Sequence, residues 1–324
     1  MRVWQVQQYG GEPIIVQLPP PIPAEGEVLV QVAAVGLNFA DMLAMQGKYQ
    51  VRHVPPYIPG MEFAGTVVAL GPGAAGPAPG SRVLGTTSAG ALAELISVPA
   101  RQLSVLPDVM DLTEAAAFPI AYGTSHLALT HKARLQAGET LFVTGAAGGV
   151  GLTAVEIGKR LGARVIASAR GADRLAAAKA AGADVVIDSE APGLNEALRA
   201  EGGVDVVYDA VGGPAFDEAL RACKPDGRLL AIGFASGEVP QVPANLLLVK
   251  NLTVAGFWYG GYGSHNPDLV AESMAELLRW RAEGRIRSHV GEVLPFEDFP
   301  AGLAMLRDRK VTGKVVIRVD QQTP

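Results

Sequence analysis

The chain has 324 residues, enough for two domains that each bury a core. Hydrophobic residues make up 49% of it and charged residues 18%, which excludes a disordered chain. A net charge of −5 without blocks of like charge offers no positive face for nucleic acid, and one cysteine, Cys223, excludes an intramolecular disulfide.

Met1–Val6 has neither the apolar core of a signal peptide nor a transit-peptide pattern. No stretch reaches the roughly 18 to 20 apolar residues that a membrane helix needs. A cytoplasmic protein with no membrane partner is the expectation. Up to about Asp111 the chain is rich in short strands and turns. Glu27–Val35, Gly65–Leu70, Arg82–Gly85 and Ala91–Val98 are largely apolar, separated by Pro19–Pro21, Pro55-Pro56, Gly71–Gly73 and Pro77–Gly80. Such breaks predict a small barrel or folded sheet.

Asp111-Leu112-Thr113-Glu114 reads as a helix start, with an acceptor at the N-cap and an acid three residues on. From Leu141 apolar strands alternate with helices. Strands are expected at Leu141–Thr144, Arg164–Ala167, Val185–Asp188, Val204–Asp209 and Arg228–Gly233. Leu152–Leu161, Arg174–Ala181 and Ala215–Ala222 are helical stretches between them. This alternation, repeating about every 20 to 25 residues, predicts a parallel sheet covered on both faces. A further strand, Leu252–Phe257, follows an apolar loop. Helix–strand–helix–strand from Pro267 to Val319 breaks the rhythm and is expected to leave the sheet domain. The fold class is therefore α/β: a doubly wound Rossmann sheet plus a second, mainly β domain.

Leu141–Thr144 runs into Gly145-Ala146-Ala147-Gly148-Gly149-Val150-Gly151, and an apolar helix follows. A strand, a glycine turn and a helix aim backbone N–H groups and the positive helix end at a pyrophosphate. Ala147, Gly148, Gly149, Val150 and Gly151 are the expected contacts. NAD sites usually place an acid at the end of the next strand. Here that strand ends Ser168-Ala169-Arg170, with Arg174 one turn into the next helix. Ser168 and two guanidinium forks suit a ribose 2′-phosphate, which points to NADPH. The plainer reading makes both arginines solvated helix-start residues.

Val28–Val35 with Gly36-Leu37-Asn38-Phe39-Ala40-Asp41, Gly47-Lys48-Tyr49 and Pro59-Gly60-Met61-Glu62-Phe63-Ala64-Gly65 resembles the start of quinone oxidoreductases of the medium-chain dehydrogenase/reductase superfamily. The glycine turn, Asp209–Gly213, Gly227-Arg228-Leu229 and Gly313–Val316 continue the resemblance over almost the whole chain. It implies a GroES-like catalytic domain at 1–117, a Rossmann NADPH-binding domain at 118–259 and a return to the catalytic domain at 260–324, with NADPH in the cleft between them. It also implies that Asn38 sits beside the nicotinamide ribose, that Tyr49 faces the acceptor and that Thr124 lies near the nicotinamide. Gly233, Phe234 and Lys314 complete the implied cofactor contacts. Plainer readings make Asn38 a turn residue, Tyr49 a half-buried core tyrosine and Thr124 a helix N-cap.

Zinc-dependent relatives carry cysteine where this chain has Asn38 and histidine where it has Met61, and neither replacement is a normal zinc ligand. The structural-zinc lobe is absent as well, and no metal is expected. Without a Lewis acid, an electron-poor acceptor that disperses charge onto oxygen is easier to reduce than an alcohol is to oxidise. The expected function is hydride transfer from NADPH to a quinone. The alternatives are a 2-enoyl thioester or alkenal (enone) reductase, with Lys48, Arg52 and His53 at the mouth of a carrier groove, and a nucleotide-binding protein without turnover. Leu43 stands where several quinone reductases have a second tyrosine, which makes this pocket more apolar. The family's Gly-Asp-Arg-Val turn reads Gly80-Ser81-Arg82-Val83, a change expected to alter only a local salt bridge. An apolar final strand at Asn251–Phe257 needs a cover. The family pairs it with its own copy, so a homodimer, or a dimer of dimers, is expected.

Overall fold

Alternating apolar residues lay down the first strands of the computed structural model, which describes residues 1–319. β1 (Arg2–Gln5) pairs with β2 (Ile14–Gln17) as a small hairpin. β3 (Glu27–Leu37) is the longest strand; Val28, Val30, Val32 and Ala34 face inward in alternation, and from Val35 to Leu37 both faces are covered. α1 (Phe39–Met45) follows at once, N-capped by Asn38. β4 (Glu62–Leu70), β5 (Arg82–Thr86), β6 (Leu95–Pro99) and β7 (Leu103–Val105) complete the first run of strands. Ala91–Val98 is thus strand only from Leu95. Ala91, Leu92 and Ala93 are fully buried and held by scattered backbone bonds, Trp4 N–H to Leu92 O and Leu92 N–H to Pro59 O, both at 2.9 Å, and by a lone bridge from Val3 to Ala93.

α2 (Leu112–Ala116) begins where its cap requires, for the Asp111 carboxylate accepts the Glu114 N–H at 2.7 Å. Arg82 turns its guanidinium to the carbonyls of Met110 and Pro107, with the Asp108 carboxylate only at 3.9 Å. α3 (Pro119–Leu127) follows, and Thr124 lies inside it rather than at a cap.

The alternating part contains β8 (Thr140–Val143), α4 (Gly149–Arg160), β9 (Arg164–Ala169), α5 (Ala172–Ala180), β10 (Val185–Asp188), α6 (Leu194–Ala200), β11 (Val204–Asp209), α7 (Pro214–Ala222) and β12 (Cys223–Ala231). All six strands of this sheet run parallel, in the order β10-β9-β8-β11-β12-β13, with β13 (Thr253–Gly256) at one edge. The expected apolar loop before β13 holds a helix, α8 (Ala244–Lys250). Pro240 and Pro243 break the segment in front of it, and its Leu246 and Leu247 pack on the sheet core. α9 (Tyr259–His265) and α10 (Pro267–Ala282) follow.

β14 (Val290–Pro295), α11 (Phe299–Arg307) and β15 (Lys314–Arg318) rejoin the first sheet. β15 lies antiparallel to β3, with Val316 opposite Gly36, and the sheet order is β14-β15-β3-β4-β5-β7, with β6 also on β3. Trp4 donates its indole N–H to Phe296 O at 2.8 Å, so the two ends of the chain share one core. Two compact units result: Met1–Ile120 with the residues from Ala271 on, and Ala121–Val270. The family resemblance places the divisions at 117/118 and 259/260, both earlier in the chain. No helix among the described residues is long and apolar enough to cross a membrane.

Candidate functional site

The second unit carries an open glycine turn at the carboxyl end of β8. The turn after Thr144 closes on itself: a Cβ at Gly151 would lie 2.2 Å from Gly145 O, so only glycine lets α4 start there. A Cβ at Gly148 would meet nothing nearer than Gly145 O at 3.4 Å, and Gly148 is exposed while Ala147 is buried. The first N–H groups of α4, from Gly149 onward, lie at the positive end of a twelve-residue helix that supplies them no acceptor of its own.

Buried hydroxyls hold this turn from beneath. Ser125 Oγ donates to Val150 O at 2.9 Å and lies 2.7 Å from Thr153 Oγ1 and 3.0 Å from Tyr208 Oη. Beside them, Asp209 Oδ1 accepts the Thr144 hydroxyl at 2.5 Å and Oδ2 accepts the Gly212 N–H at 2.9 Å. Burial pushes the Asp209 carboxyl above its ordinary range, against those hydrogen bonds. Asp209 appeared in the sequence only as part of a motif. Its role in shaping the 209–213 turn needed the fold to be seen.

Ser168 is buried near the end of β9, and Arg170 follows that strand, exposed and only loosely paired with Glu190 at 3.8 Å. Arg174 lies in the first turn of α5. Gly233 and Phe234 follow β12, with Phe234 38% exposed and the Gly233 N–H on Asp209 O at 3.3 Å. Thus Ala147–Gly151, Ser168–Arg174 and Gly233-Phe234 all lie at or after carboxyl ends of parallel strands, where open α/β sheets bind nucleotides. Thr124 is buried in α3, one residue before Ser125.

The first unit gathers a different set. Lys314, at the start of β15, is 5% exposed and sends its ammonium to Leu37 O at 2.6 Å, Asn38 Oδ1 at 2.7 Å and Glu62 Oε1 at 2.6 Å. Asn38 Nδ2 donates to the same Glu62 oxygen at 2.8 Å, and Glu62 Oε2 accepts the Ile120 N–H at 2.8 Å. The amide is therefore oriented at both ends. Its second N–H reaches only Gly36 O at 3.5 Å, the limit of a hydrogen bond, and remains available. Gly36 permits the approach: a Cβ there would lie 2.2 Å from Ala116 O and 2.7 Å from Glu62 Oε1.

Asp41 completes the cluster, accepting the Asn38 backbone N–H at 2.8 Å. Tyr49 is half-buried on the loop after α1, whose end is closed by Lys48 N–H on Leu43 O at 2.8 Å. Met61 is buried beside Glu62, so the donor set facing Asn38 holds no thiolate or imidazole. Among the described residues no group of three or more His, Cys, Asp or Glu is placed to hold a metal. Glu62 and Asp41 escaped the sequence reading as site residues. An acid three residues after Asn38 was the available signal for Asp41.

Residues 24–108 match the family described as "Alcohol dehydrogenase GroES-like domain", and residues 149–280 that described as "Zinc-binding dehydrogenase". Quinone oxidoreductase-like protein 2 of Bos taurus is 40% identical over 94% of this chain and 89% of its own length. Prostaglandin reductase-3 of Bos taurus is 32% identical over 93% of this chain and 83% of its own. The quinone oxidoreductase of Thermus thermophilus, whose structure was also solved in complex with NADPH, superposes with a TM-score of 0.87 at 37% identity, covering 98% of this chain and 100% of that one. Sequence, fold and the asparagine–methionine pair in place of zinc ligands agree: the chain belongs to the zinc-independent quinone oxidoreductase branch of the medium-chain dehydrogenase/reductase superfamily.

Proposed function

We propose that this protein is an NADPH-dependent oxidoreductase that reduces a quinone without a metal. The observation that carries this reading is that one chain holds both a glycine turn opening a helix in its second unit and a half-buried amide fixed by Lys314 and Glu62 in its first. The nucleotide seat fits its ligand. The first N–H groups of α4 suit a pyrophosphate, and Ser168 with Arg170 and Arg174 suits a 2′-phosphate at a strand end without an acid. NADPH, when bound, supplies the hydride.

The protein's own groups do the rest. Asn38 offers its second Nδ2 N–H to an oxygen of the nicotinamide ribose or of the acceptor. Lys314 acts through Asn38, since all three of its N–H groups are already engaged. The Tyr49 phenol donates to the acceptor oxygen as charge develops there. Thr124, Gly233 and Phe234 flank the nicotinamide end of the seat. A homodimer also fits. β13 leaves an open sheet edge, and beside it on α8 Leu248 and Val249 are 78% and 70% exposed. A purely monomeric mass by light scattering at micromolar concentration would remove that part of the proposal.

A second reading, reduction of a conjugated enone, is favoured by the prostaglandin reductase relative and by the apolar Leu43. Steady-state oxidation of NADPH against 1,4-benzoquinone, 9,10-phenanthrenequinone, crotonyl-CoA and 2-hexenal in parallel separates the two. Turnover is expected with the quinones foremost; turnover confined to the enoyl thioester or the enal would overturn the quinone reading.

A further inference from the structure

Asp41 lies in the first turn of α1 and is 1% exposed. Its Oδ2 takes the Asn38 N–H, while Oδ1 is buried with no hydrogen bond of ordinary geometry and only a weak contribution from the Gly60 backbone reaches the carboxyl, an arrangement uncommon enough to require a reason. The nearby ammonium does not supply one, because Lys314 is committed to Leu37, Asn38 and Glu62. Glu62 collects Lys314 and Asn38 on Oε1 and Ile120 on Oε2. The cluster therefore holds two buried carboxyls and one ammonium, and Glu62 has the ammonium.

We propose that Asp41 is a proton-carrying positioning residue. Protonated, it leaves the Asn38–Glu62–Lys314 cluster electroneutral while still anchoring the Asn38 backbone; ionised, it adds an uncompensated negative charge beside the Asn38 amide.

Burial pushes the Asp41 carboxyl up to about 7, with the Asn38 N–H and the Lys314 charge partly relieving the effect, the Glu62 charge reinforcing it and the Gly60 backbone relieving it slightly. The groups facing it are few. β4 brings Glu62 and β15 brings Lys314. From the loop before β4 comes Tyr57, whose buried hydroxyl has no partner and is itself pushed up to about 12, by burial first and then by Tyr9 and Asp41. α11, which packs against α1, carries one charged residue, Arg307, and that is exposed and paired with Asp308.

The sign follows from linkage. A carboxyl whose pKa is higher folded than unfolded contributes stability that is complete below about pH 4 and is lost as pH rises through about 7. Where turnover is concerned the inference rests on the proposed function. An acceptor oxygen gaining negative charge is disfavoured by an ionised Asp41, so the rate should fall above neutrality.

The test uses the whole ligand-free chain first. Infrared difference titration of protein carrying 13C-labelled aspartate should show a protonated carboxyl that disappears with a midpoint near 7 and that is still present in Asp209→Asn, the other aspartate raised by burial. Asp41→Asn, which keeps an oxygen acceptor for the Asn38 N–H, should lack that band. Its Tm should also fall less between about pH 5 and 8 than that of the wild type. With NADPH and 1,4-benzoquinone, kcat of the wild type should fall to a lower plateau with a midpoint near pH 7, and kcat of the variant should show no such step. Absence of any labelled aspartic acid above about pH 5, or identical Tm slopes, would overturn the proposal. Absence of quinone turnover alone would count against the proposed function and leave the titration standing. Should Asp41→Asn fail to fold, the titration of Asp209→Asn decides, because Asp41 is then the raised aspartate that remains.

Discussion

The two units hold their polar groups by opposite means. In the second, backbone N–H groups and glycines form the seat, and the residues concerned are consecutive: Gly145–Gly151 bends, opens and starts a helix within seven positions. In the first, side chains make the site, and they come from α1, β4, β15 and the loop before α1. Lys314 and Glu62 are 252 positions apart. A phosphate seat made of main chain tolerates changes in most side chains but not the addition of a Cβ. A site made of buried charges fails above all on the loss of a partner. Substitutions should therefore fail differently in the two units.

The largest effect is expected at Lys314. Lys314→Met leaves Glu62 buried with no cation, and breaking a buried pair in this way costs about 3–5 kcal/mol. A thermal melt should show the loss, and Lys314→Met combined with Glu62→Gln should recover part of it. A single variant as stable as the wild type would mean the cluster is not buried as described. Gly151→Ala comes next. The added Cβ would lie 2.2 Å from Gly145 O, so the turn must open, and NADPH affinity should fall about a hundredfold by fluorescence titration. Unchanged affinity would show that the seat lies elsewhere.

These two sites also differed in how far the sequence revealed them. The glycine turn, the Asp111 cap and most of the parallel strands are local patterns, and the structure has them within a residue or two of where the periodicity puts them, whereas β12 begins at Cys223 rather than at Arg228. The helix α8 was hidden because only Leu246 and Leu247 of its apolar run face the core, with prolines in front. Ala91–Ala93 read as strand because buried alanines look alike whether or not they pair. The polar cluster was beyond any local signal. Asn38 and Lys314 appeared as separate candidates, and only the β3–β15 pairing brings Val316 opposite Gly36 and so Lys314 to Leu37, Asn38 and Glu62.

A smaller effect sharpens the account of the second unit. Arg170 is exposed and its contact with Glu190 is long, so the guanidinium is free to turn to a phosphate at little cost. Arg170→Ala together with Arg174→Ala should raise the KM for NADPH about tenfold and leave that for NADH nearly unchanged. Equal weakening of both cofactors would make the arginines structural and would leave Ser168 as the sole side-chain candidate for the 2′-phosphate.

The smallest effect, at Tyr49, tests what the first unit does chemically. A phenol with an ordinary pKa near 10 is a donor at neutral pH. A quinone spreads its new charge over two oxygens and takes protons from water, so it should need that donor only modestly. An enoyl thioester must gain a proton on the carbon beside its carbonyl, where donor loss costs roughly 2.7 to 4 kcal/mol, or two to three powers of ten in rate. Tyr49→Phe keeps the half-buried ring on its loop and removes only the hydroxyl. For 1,4-benzoquinone, kcat should fall by less than about tenfold. A fall of a hundredfold or more with crotonyl-CoA, in a protein that turns it over well, would identify the phenol as a proton donor to carbon. The first unit would then be built for enoyl reduction, with its locked amide serving a thioester oxygen rather than a quinone.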